Sequence, residues 1–248
     1  MKSYIIGIAG ELNSGKDTLA SMINYIVAVG TTKANYQVWL TDKTRNDITY
    51  LDRITHFADP MKDCLSIMYN IPRKYFDDRK YKDELWYSIN ERRFITDDTS
   101  INHKYRRINI GDFSPAYTLG DAIRYCKIDG VLPVIKLRTL MQYFATEIGR
   151  KQMQDNLWIN ATMGRAANIA EGRKICIIPD VRFINERDAI RGNFLYGGDI
   201  LIKRDQTKDS EHSSETIDFT CKYEIENNGS KMQLFYKAIS VVNDIIKD

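Results

Sequence analysis

The sequence predicts a three-layer α/β sandwich, a central and mostly parallel sheet flanked by helices, on the strength of three observations. Short, continuously apolar runs recur along the chain, as strands buried on both faces require. Stretches with helical apolar spacing alternate with them. A glycine-bearing loop joins the first such strand directly to the first such helix.

Taken in order, Tyr4 to Ala9 reads as a buried strand, and the loop Gly10 to Gly15 leads into a helix over Asp17 to Val27. Ile54 to Phe57 reads as a short strand. A helix begins at Pro60, where the missing N–H and preset φ of proline suit a first turn. Ile175 to Ile178 is a second continuous apolar run, followed by a helix from Phe183 to about Arg191. Ile200 to Ile202 and Tyr223 to Ile225 read as further strands, and a helix from about Met232 to Ile246 follows, with Leu234, Phe235, Ala238, Ile239, Val242, Ile245 and Ile246 as its core stripe. Between Lys136 and Ala170 lie two helical patterns without a strand, and these are expected to flank the cleft. The region Tyr81 to Val134 is polar and aromatic, is broken by Gly111, Pro115, Gly120 and Gly130, and has no dominant period, so it reads as an insertion or cap. With no long linker or repeat, residues 1–248 are expected to form one domain.

Composition bounds the function. At 43% apolar and 28% charged residues the chain has average globular usage, which excludes a disordered or fibrous protein. A domain of this length buries roughly three quarters of its unfolded surface and needs no disulfide. Cys64, Cys126, Cys176 and Cys221 lie too far apart for a short metal-binding spacing and read as free thiols of a reducing cytoplasm. A net charge of +3 suits an anionic small ligand and falls short of a nucleic-acid footprint; Lys104-Tyr-Arg-Arg107 reads as a solvated face. The apolar run after Met1 is too short for a signal-peptide core, and no stretch reaches the roughly 18 apolar residues of a membrane span. No nucleic-acid or membrane partner is expected.

Gly10-Glu-Leu-Asn-Ser-Gly15-Lys16-Asp17-Thr18 has the glycine spacing and lysine of the phosphate-binding P-loop, in the strand–loop–helix setting that motif requires. Backbone N–H groups of Gly10, Asn13, Ser14 and Gly15 would wrap a β-phosphate at the helix N-terminus, with Lys16 neutralising the β- and γ-phosphates of ATP. Asp17 departs from the motif, whose serine or threonine holds Mg²⁺. Asp17 either binds that metal, directly or through water, or simply opposes the helix dipole, and Thr18 offers a hydroxyl one position late. Asp180, after the run Ile175 to Ile178, falls where a strand delivers an acid to the carboxyl edge of the sheet as a third Mg²⁺ candidate; alternatively it caps the next helix.

Ser14-Gly-Lys-Asp-Thr18 resembles the loop of the phage deoxynucleoside monophosphate kinases, a branch of the P-loop kinases. Phe57-Ala-Asp-Pro-Met-Lys-Asp63, Arg138-Thr-Leu-Met-Gln142 with Thr146-Glu147, Ile178-Pro-Asp-Val-Arg182 with Glu186, His212-Ser-Ser-Glu215 and Ile225-Glu-Asn-Asn-Gly-Ser230 fit the same family in the same order. The likeness fades from Tyr81 to Val134. It implies a P-loop sandwich with helical substrate-cap and lid segments, and transfer of the γ-phosphoryl of ATP to a deoxynucleoside monophosphate. It also implies Asp180 and Arg182 in the active site and, if phage-encoded, the host cytoplasm as location. Lys16, Asp180, Arg182 and Arg204 are the catalytic candidates. Lys62, Arg138, Gln142, Thr146, Trp158, Asp180, Arg182 and Glu186 are the acceptor-binding ones. Arg138 and Gln142 share a polar helix face at i, i+4, and Lys62 lies just inside the Pro60 helix. Trp158 and Tyr143 either stack on a base or belong to the core, the commoner fate of aromatics at helical spacing. The polar stretch at about 203–217 reads as a lid, in which Arg204 is a better candidate than His212. Partners are small nucleotides, and a homodimer is compatible with the sequence.

Overall fold

A computed structural model of the protein describes residues 2–41, 53–96, 104–114, 117–205 and 217–247. In chain order its elements are β1 (Tyr4–Ala9), α1 (Lys16–Val29), α2 (Tyr36–Thr41), α3 (Asp59–Tyr69), β2 (Trp86–Ser88), β3 (Arg93–Ile95), β4 (Tyr105–Ile108), α4 (Leu119–Ile128) and β5 (Leu132–Ile135). There follow α5 (Leu137–Gln142), which widens into a π-helix over Tyr143–Met153, then α6 (Leu157–Arg173), β6 (Ile175–Val181), α7 (Ile184–Arg191), β7 (Tyr196–Lys203), β8 (Tyr223–Glu226) and α8 (Lys231–Lys247). These elements form two compact units, one of Met1–Phe57 with Ile159–Asp248 and one of Ala58–Trp158.

The first unit is the expected sandwich. Its four-stranded sheet runs β6-β1-β7-β8 with every pair parallel. Side chains alternate between the faces, as the two-residue period of a strand demands. Ile6 and Ile8 of β1 join Ile175, Ile177, Ile200, Ile202 and Ile225 under α1 and α8, where Leu19, Ile23, Ile26, Phe235, Val242 and Ile245 are buried. Ile5 and Ala9 face the other way, with Cys176, Ile178 and Leu201, against Ile159, Met163 and Ala166 of α6 and Ile190 of α7. Both faces are thus apolar, which is why β1, Ile175 to Ile178 of β6 and Ile200 to Ile202 of β7 read as unbroken hydrophobic runs, whereas β8 carries the exposed Glu224 and Glu226.

Two local features depart from simple strands. Pro179 has no N–H for the ladder, and the β1–β6 register slips there: Gly7 opposes Ile178 but Ala9 opposes Val181. The extra residue re-aims the strand end that carries Asp180. The strand expected over Ile54 to Phe57 reduces to one parallel bridge between Ile54 and Ile177. Beyond it the Phe57 N–H turns away from the ladder to the Asp180 carboxylate, 3.2 Å from each oxygen. Of the expected lid, 206–216 lies outside the described residues, His212 included.

The second unit holds, besides helices, a four-stranded mixed sheet that the sequence does not predict. Its order is β3-β2-β5-β4, antiparallel except for β4 with β5. Strands of three or four residues are too short to show a period. Met61, Leu65, Phe76, Tyr87, Leu137, Leu140, Tyr143 and Trp158 form its core. Among the described residues, no helix is long and apolar enough to cross a membrane.

Two carboxylates lie deep in the first unit, Glu186 and Asp199. Asp199, 2% exposed in β7, accepts from the Tyr196 hydroxyl at 2.5 Å, the Lys222 N–H at 3.1 Å and Arg191 Nε at 3.0 Å. Burial pushes its carboxyl upward, but these three donors outweigh burial and hold it below the ordinary carboxylate range. A depressed native pKa contributes stability that is present above the unfolded value and lost as pH falls through the native one. Asp199→Asn should therefore cost about 2–4 kcal/mol near neutrality, leaving Arg191 with a weakened partner. The gap from wild type should narrow as the pH falls below about 4, the usual aspartate range. Urea denaturation at pH 7 and at pH 3–4 measures both, and a gap independent of pH would contradict the assignment.

Candidate functional site

Because all four strands of the first unit are parallel, their C-terminal ends meet at one edge. The register aligns Ala9 with Val181 and Leu201, and Lys203 with Glu226. That edge gathers the loop from Gly10 to Thr18, Asp180 near the end of β6, Arg182 just after it, Arg204 after β7 and Asn227 after β8.

The loop is shaped by contacts only glycine permits. A Cβ on Gly10 would stand 2.5 Å from the Ile202 carbonyl oxygen and 2.6 Å from Ser14 Oγ. Gly15 adopts φ 102°, and Asn13 takes the left-handed region at φ 62°, which asparagine tolerates. Ser14 N–H closes a turn on the Glu11 carbonyl at 3.2 Å. Helix α1 then starts at Lys16 with no side chain capping its first N–H groups.

Two observations in this loop point to an anion. Ser14, 1% exposed, holds its hydroxyl against Gly10, and among the described residues this is the buried side-chain oxygen with no hydrogen-bond partner. Buried polar groups are rarely left unpaired, so Ser14 Oγ suits a ligand acceptor. Lys16 folds its ammonium back onto the Gly10 and Glu11 carbonyls, 2.6 Å from each, inside the same loop. Uncapped helix N–H groups, a hydroxyl and an ammonium gathered in one place fit the phosphates of a nucleotide. Asp17 is exposed and Thr18 half-buried on the first turn of α1; with Asp180 they carry oxygen atoms of the kind Mg²⁺ prefers, while among the described residues no three acid, histidine or cysteine side chains cluster as a metal site.

Asn227 was not singled out by sequence reasoning, although its motif was. Its amide Nδ2 donates to the Ser14 carbonyl at 2.8 Å and abuts the open side of Gly15, while its N–H donates to the Lys203 carbonyl at 2.7 Å. Asn227 thereby ties the last strand to the loop. An asparagine directly after a strand at a ligand-bearing edge is the signal that could have marked it.

Asp180 lies within β6 and receives the Phe57 N–H; it does not cap the next helix. Glu186 does, its carboxylate 3% exposed and accepting from the N–H groups of Arg182 at 2.8 Å and Phe183 at 3.2 Å. Glu186 thus shapes the turn that presents the exposed Arg182. Arg204 is exposed, and its neighbour Asp205 exchanges reciprocal 2.8 Å bonds with Asn228.

The remaining candidates sit in the second unit. Arg138, Gln142 and Thr146 are exposed and spaced by four along α5 and its π-helical continuation, opposite the buried Leu137, Leu140 and Tyr143. Arg138 grips Asp83 with two bonds, Nε to Oδ1 at 2.6 Å and Nη2 to Oδ2 at 3.0 Å. The pairing holds the Asp83 carboxyl below its usual value and raises the Arg138 guanidinium further. Lys62 Nζ lies 2.6 Å from Asp77, and Arg73 binds Asp59 at 2.7 Å, Asp63 at 2.8 Å and Asp77. Trp158 is 7% exposed and part of the core. Its Nε1 donates to the Ala145 carbonyl at 3.0 Å, and the indole packs on Gly149, where a Cβ would come within 2.5 Å. Trp158 is thus a support beneath the helix that presents Thr146, and Tyr143, buried likewise, gives its hydroxyl to the Leu119 N–H as an acceptor at 3.2 Å.

No family model matches the chain. It is similar to the deoxynucleoside-5'-monophosphate kinase of Escherichia phage T5, with 25% identity over 230 residues, 86% of this chain and 84% of that protein. The resemblance read from scattered motifs is therefore matched by similarity along most of the chain.

The loop geometry makes a prediction independent of any activity. Gly10→Ala should destabilise the protein by about 1–3 kcal/mol, since the new methyl meets a backbone carbonyl of the sheet and cannot turn aside. Thermal and urea unfolding of the variant measure it; unchanged stability would show that residue 10 is not packed against Ile202.

Proposed function

We propose that the chain is an ATP-dependent deoxynucleoside monophosphate kinase acting on small nucleotides in a reducing, cytoplasmic compartment. The observation that carries this reading is the loop Gly10 to Thr18, with the partnerless Ser14 hydroxyl and the Lys16 ammonium inside a turn that has no room for a side chain at residue 10. Similarity to the phage T5 enzyme supports the choice of acceptor. Four unbridged cysteines and the small net charge support the compartment and the absence of a nucleic-acid partner.

In the proposed reaction an oxygen of the acceptor's phosphate bonds to the γ-phosphorus of ATP, and the bond from that phosphorus to the β-phosphate oxygen breaks, giving ADP and the deoxynucleoside diphosphate. The acceptor's phosphate is already ionised near neutrality, so no general base is needed. Positioning and charge stabilisation supply the rate. The loop N–H groups and Ser14 hold the triphosphate. Lys16 exchanges its two carbonyl partners for phosphate oxygens, and Arg182 and Arg204 offset charge on the migrating group. Asp17, Thr18 and Asp180 would hold Mg²⁺, which would supply positive charge to offset that of the triphosphate. Metal held by one or two acids plus substrate phosphates is usual for this ion. On the acceptor side, Lys62 and Arg138 meet the phosphate, while Gln142 and Thr146 offer hydrogen bonds from the same helix face. Glu186 holds the Arg182 turn, and Trp158 holds the helix bearing Thr146.

The test is ADP release from ATP with each of the four deoxynucleoside monophosphates, their ribose counterparts and a panel of phosphorylated metabolites. Turnover that requires a deoxynucleoside monophosphate is expected. Turnover of a non-nucleotide phosphate alone would refute the substrate class, and equal ATP hydrolysis without acceptor would refute the kinase reading. Lys16→Ala should lower kcat by at least about a thousandfold, on the scale of losing a principal charge stabiliser, while the fold persists by circular dichroism. Near-wild-type activity in that variant would remove the loop from the mechanism.

A further inference from the structure

Arg138 carries an exposed side chain, 54% accessible, yet it is not a loose one. Its Nε and Nη2 both bind one carboxylate, that of Asp83, which lies 55 positions earlier in the chain. A guanidinium is a planar fork with two edges able to grip an oxyanion. Asp83 takes the Nε–Nη2 edge, and Nη1 takes no part in these bonds.

The platform beneath Asp83 is itself built into the second unit. Asp83 belongs to a short π-helix, Lys80–Glu84, where the Lys82 N–H bonds to the Asp78 carbonyl and the Leu85 N–H to the Lys80 carbonyl. Tyr81 stacks on Tyr75 at 3.9 Å between ring centroids and meets Phe94 edge-on at 4.9 Å. Phe76 is fully buried, and Arg73 fastens the start of the segment to Asp59 and Asp63 of α3. The same segment sends Asp77 to Lys62. One short stretch, 73–84, therefore supplies a carboxylate to each of the two cations assigned to the acceptor.

We propose that Asp83 is a positioning residue for the acceptor: it fixes the Arg138 guanidinium through one edge and leaves the Nη1 edge to grip the phosphate of the nucleoside monophosphate. The proposal rests on the kinase reading above and on the role given there to Arg138. An exposed ion pair adds little to stability, so the value of this one lies in orientation. An arginine released from its partner must be ordered again whenever the acceptor binds, and that loss of side-chain freedom weakens binding by about tenfold.

Steady-state kinetics of the full-length protein, with ATP and a deoxynucleoside monophosphate varied in turn, test it in Asp83→Ala, Asp83→Asn, Asp83→Glu, Arg138→Ala and the Asp83→Ala/Arg138→Ala double variant. Expected are an acceptor KM raised about tenfold in Asp83→Ala and Asp83→Asn, an unchanged KM for ATP, an unchanged unfolding temperature and partial recovery in Asp83→Glu. In the Arg138→Ala background, loss of Asp83 should add nothing. An unchanged acceptor KM in the Asp83 variants, with Arg138→Ala impaired, overturns the proposal and leaves the kinase reading standing. A lowered acceptor KM overturns it by making Asp83 a competitor of the phosphate, and additive effects overturn it by placing Asp83 outside the action of Arg138. Equal rises in both KM values, or a loss of unfolding temperature, would assign Asp83 a structural role instead. If Arg138→Ala is indifferent in an active kinase, Arg138 and Asp83 both leave the acceptor site. If the wild type turns over no nucleoside monophosphate, the kinase reading fails and the proposal falls with it.

Discussion

The first unit is organised around a close approach between two pieces of backbone: residue 10, leaving β1, passes so near the Ile202 carbonyl that no side chain fits between them. That approach exists because β1 and β7 are parallel neighbours buried on both faces, and it fixes where the chain turns into α1. The rest of the loop follows from it. Ser14 is driven inward against Gly10, Gly15 is forced to positive φ, and Asn227 closes the open side from the end of β8. A hydroxyl, an ammonium and uncapped helix N–H groups are gathered in one turn because the backbone is held this tightly.

The sheet that carries the loop was legible because β1, Ile175 to Ile178 of β6 and Ile200 to Ile202 of β7 are continuous apolar runs, and their partner helices show clear stripes such as Leu234, Phe235, Ala238 and Val242. Strand ends were less so. β6 extends through Pro179, which reads as a stop yet is accommodated by a slip in register, and the segment at Ile54 pairs only once because a side chain claims the next N–H. The sheet of the second unit was invisible: strands such as Trp86–Ser88 and Arg93–Ile95 are held by non-local pairing and by Tyr87 in the core, and neither leaves a periodic trace.

The candidate site divides in the same way. Residues whose role follows from backbone geometry, from Gly10 to Thr18, could be read from spacing. Those whose behaviour depends on a distant partner could not. Glu186, which the resemblance marks as an acceptor-binding candidate, caps a helix and holds the Arg182 turn, a role its neighbours in the sequence do not announce. Trp158 reads as either a platform for a base or a core residue, and it lies in the core, supporting a π-helix through the Ala145 carbonyl. Arg138 declares its charge and its face, but nothing near it in the sequence announces Asp83.

The order of the strands bears on how the protein emerges from a ribosome. β1 is made well before its pairing partners, Tyr4 meeting Ile175 and Ile5 meeting Tyr196. The whole of Ala58–Trp158 is synthesised in between, with a core of its own. At about 5–20 residues per second, β1 waits on the order of ten seconds for either neighbour, an apolar strand with both edges unpaired. Contacts this distant in sequence make folding slow, and the interval is one in which β1 is open to aggregation or to the attention of a chaperone.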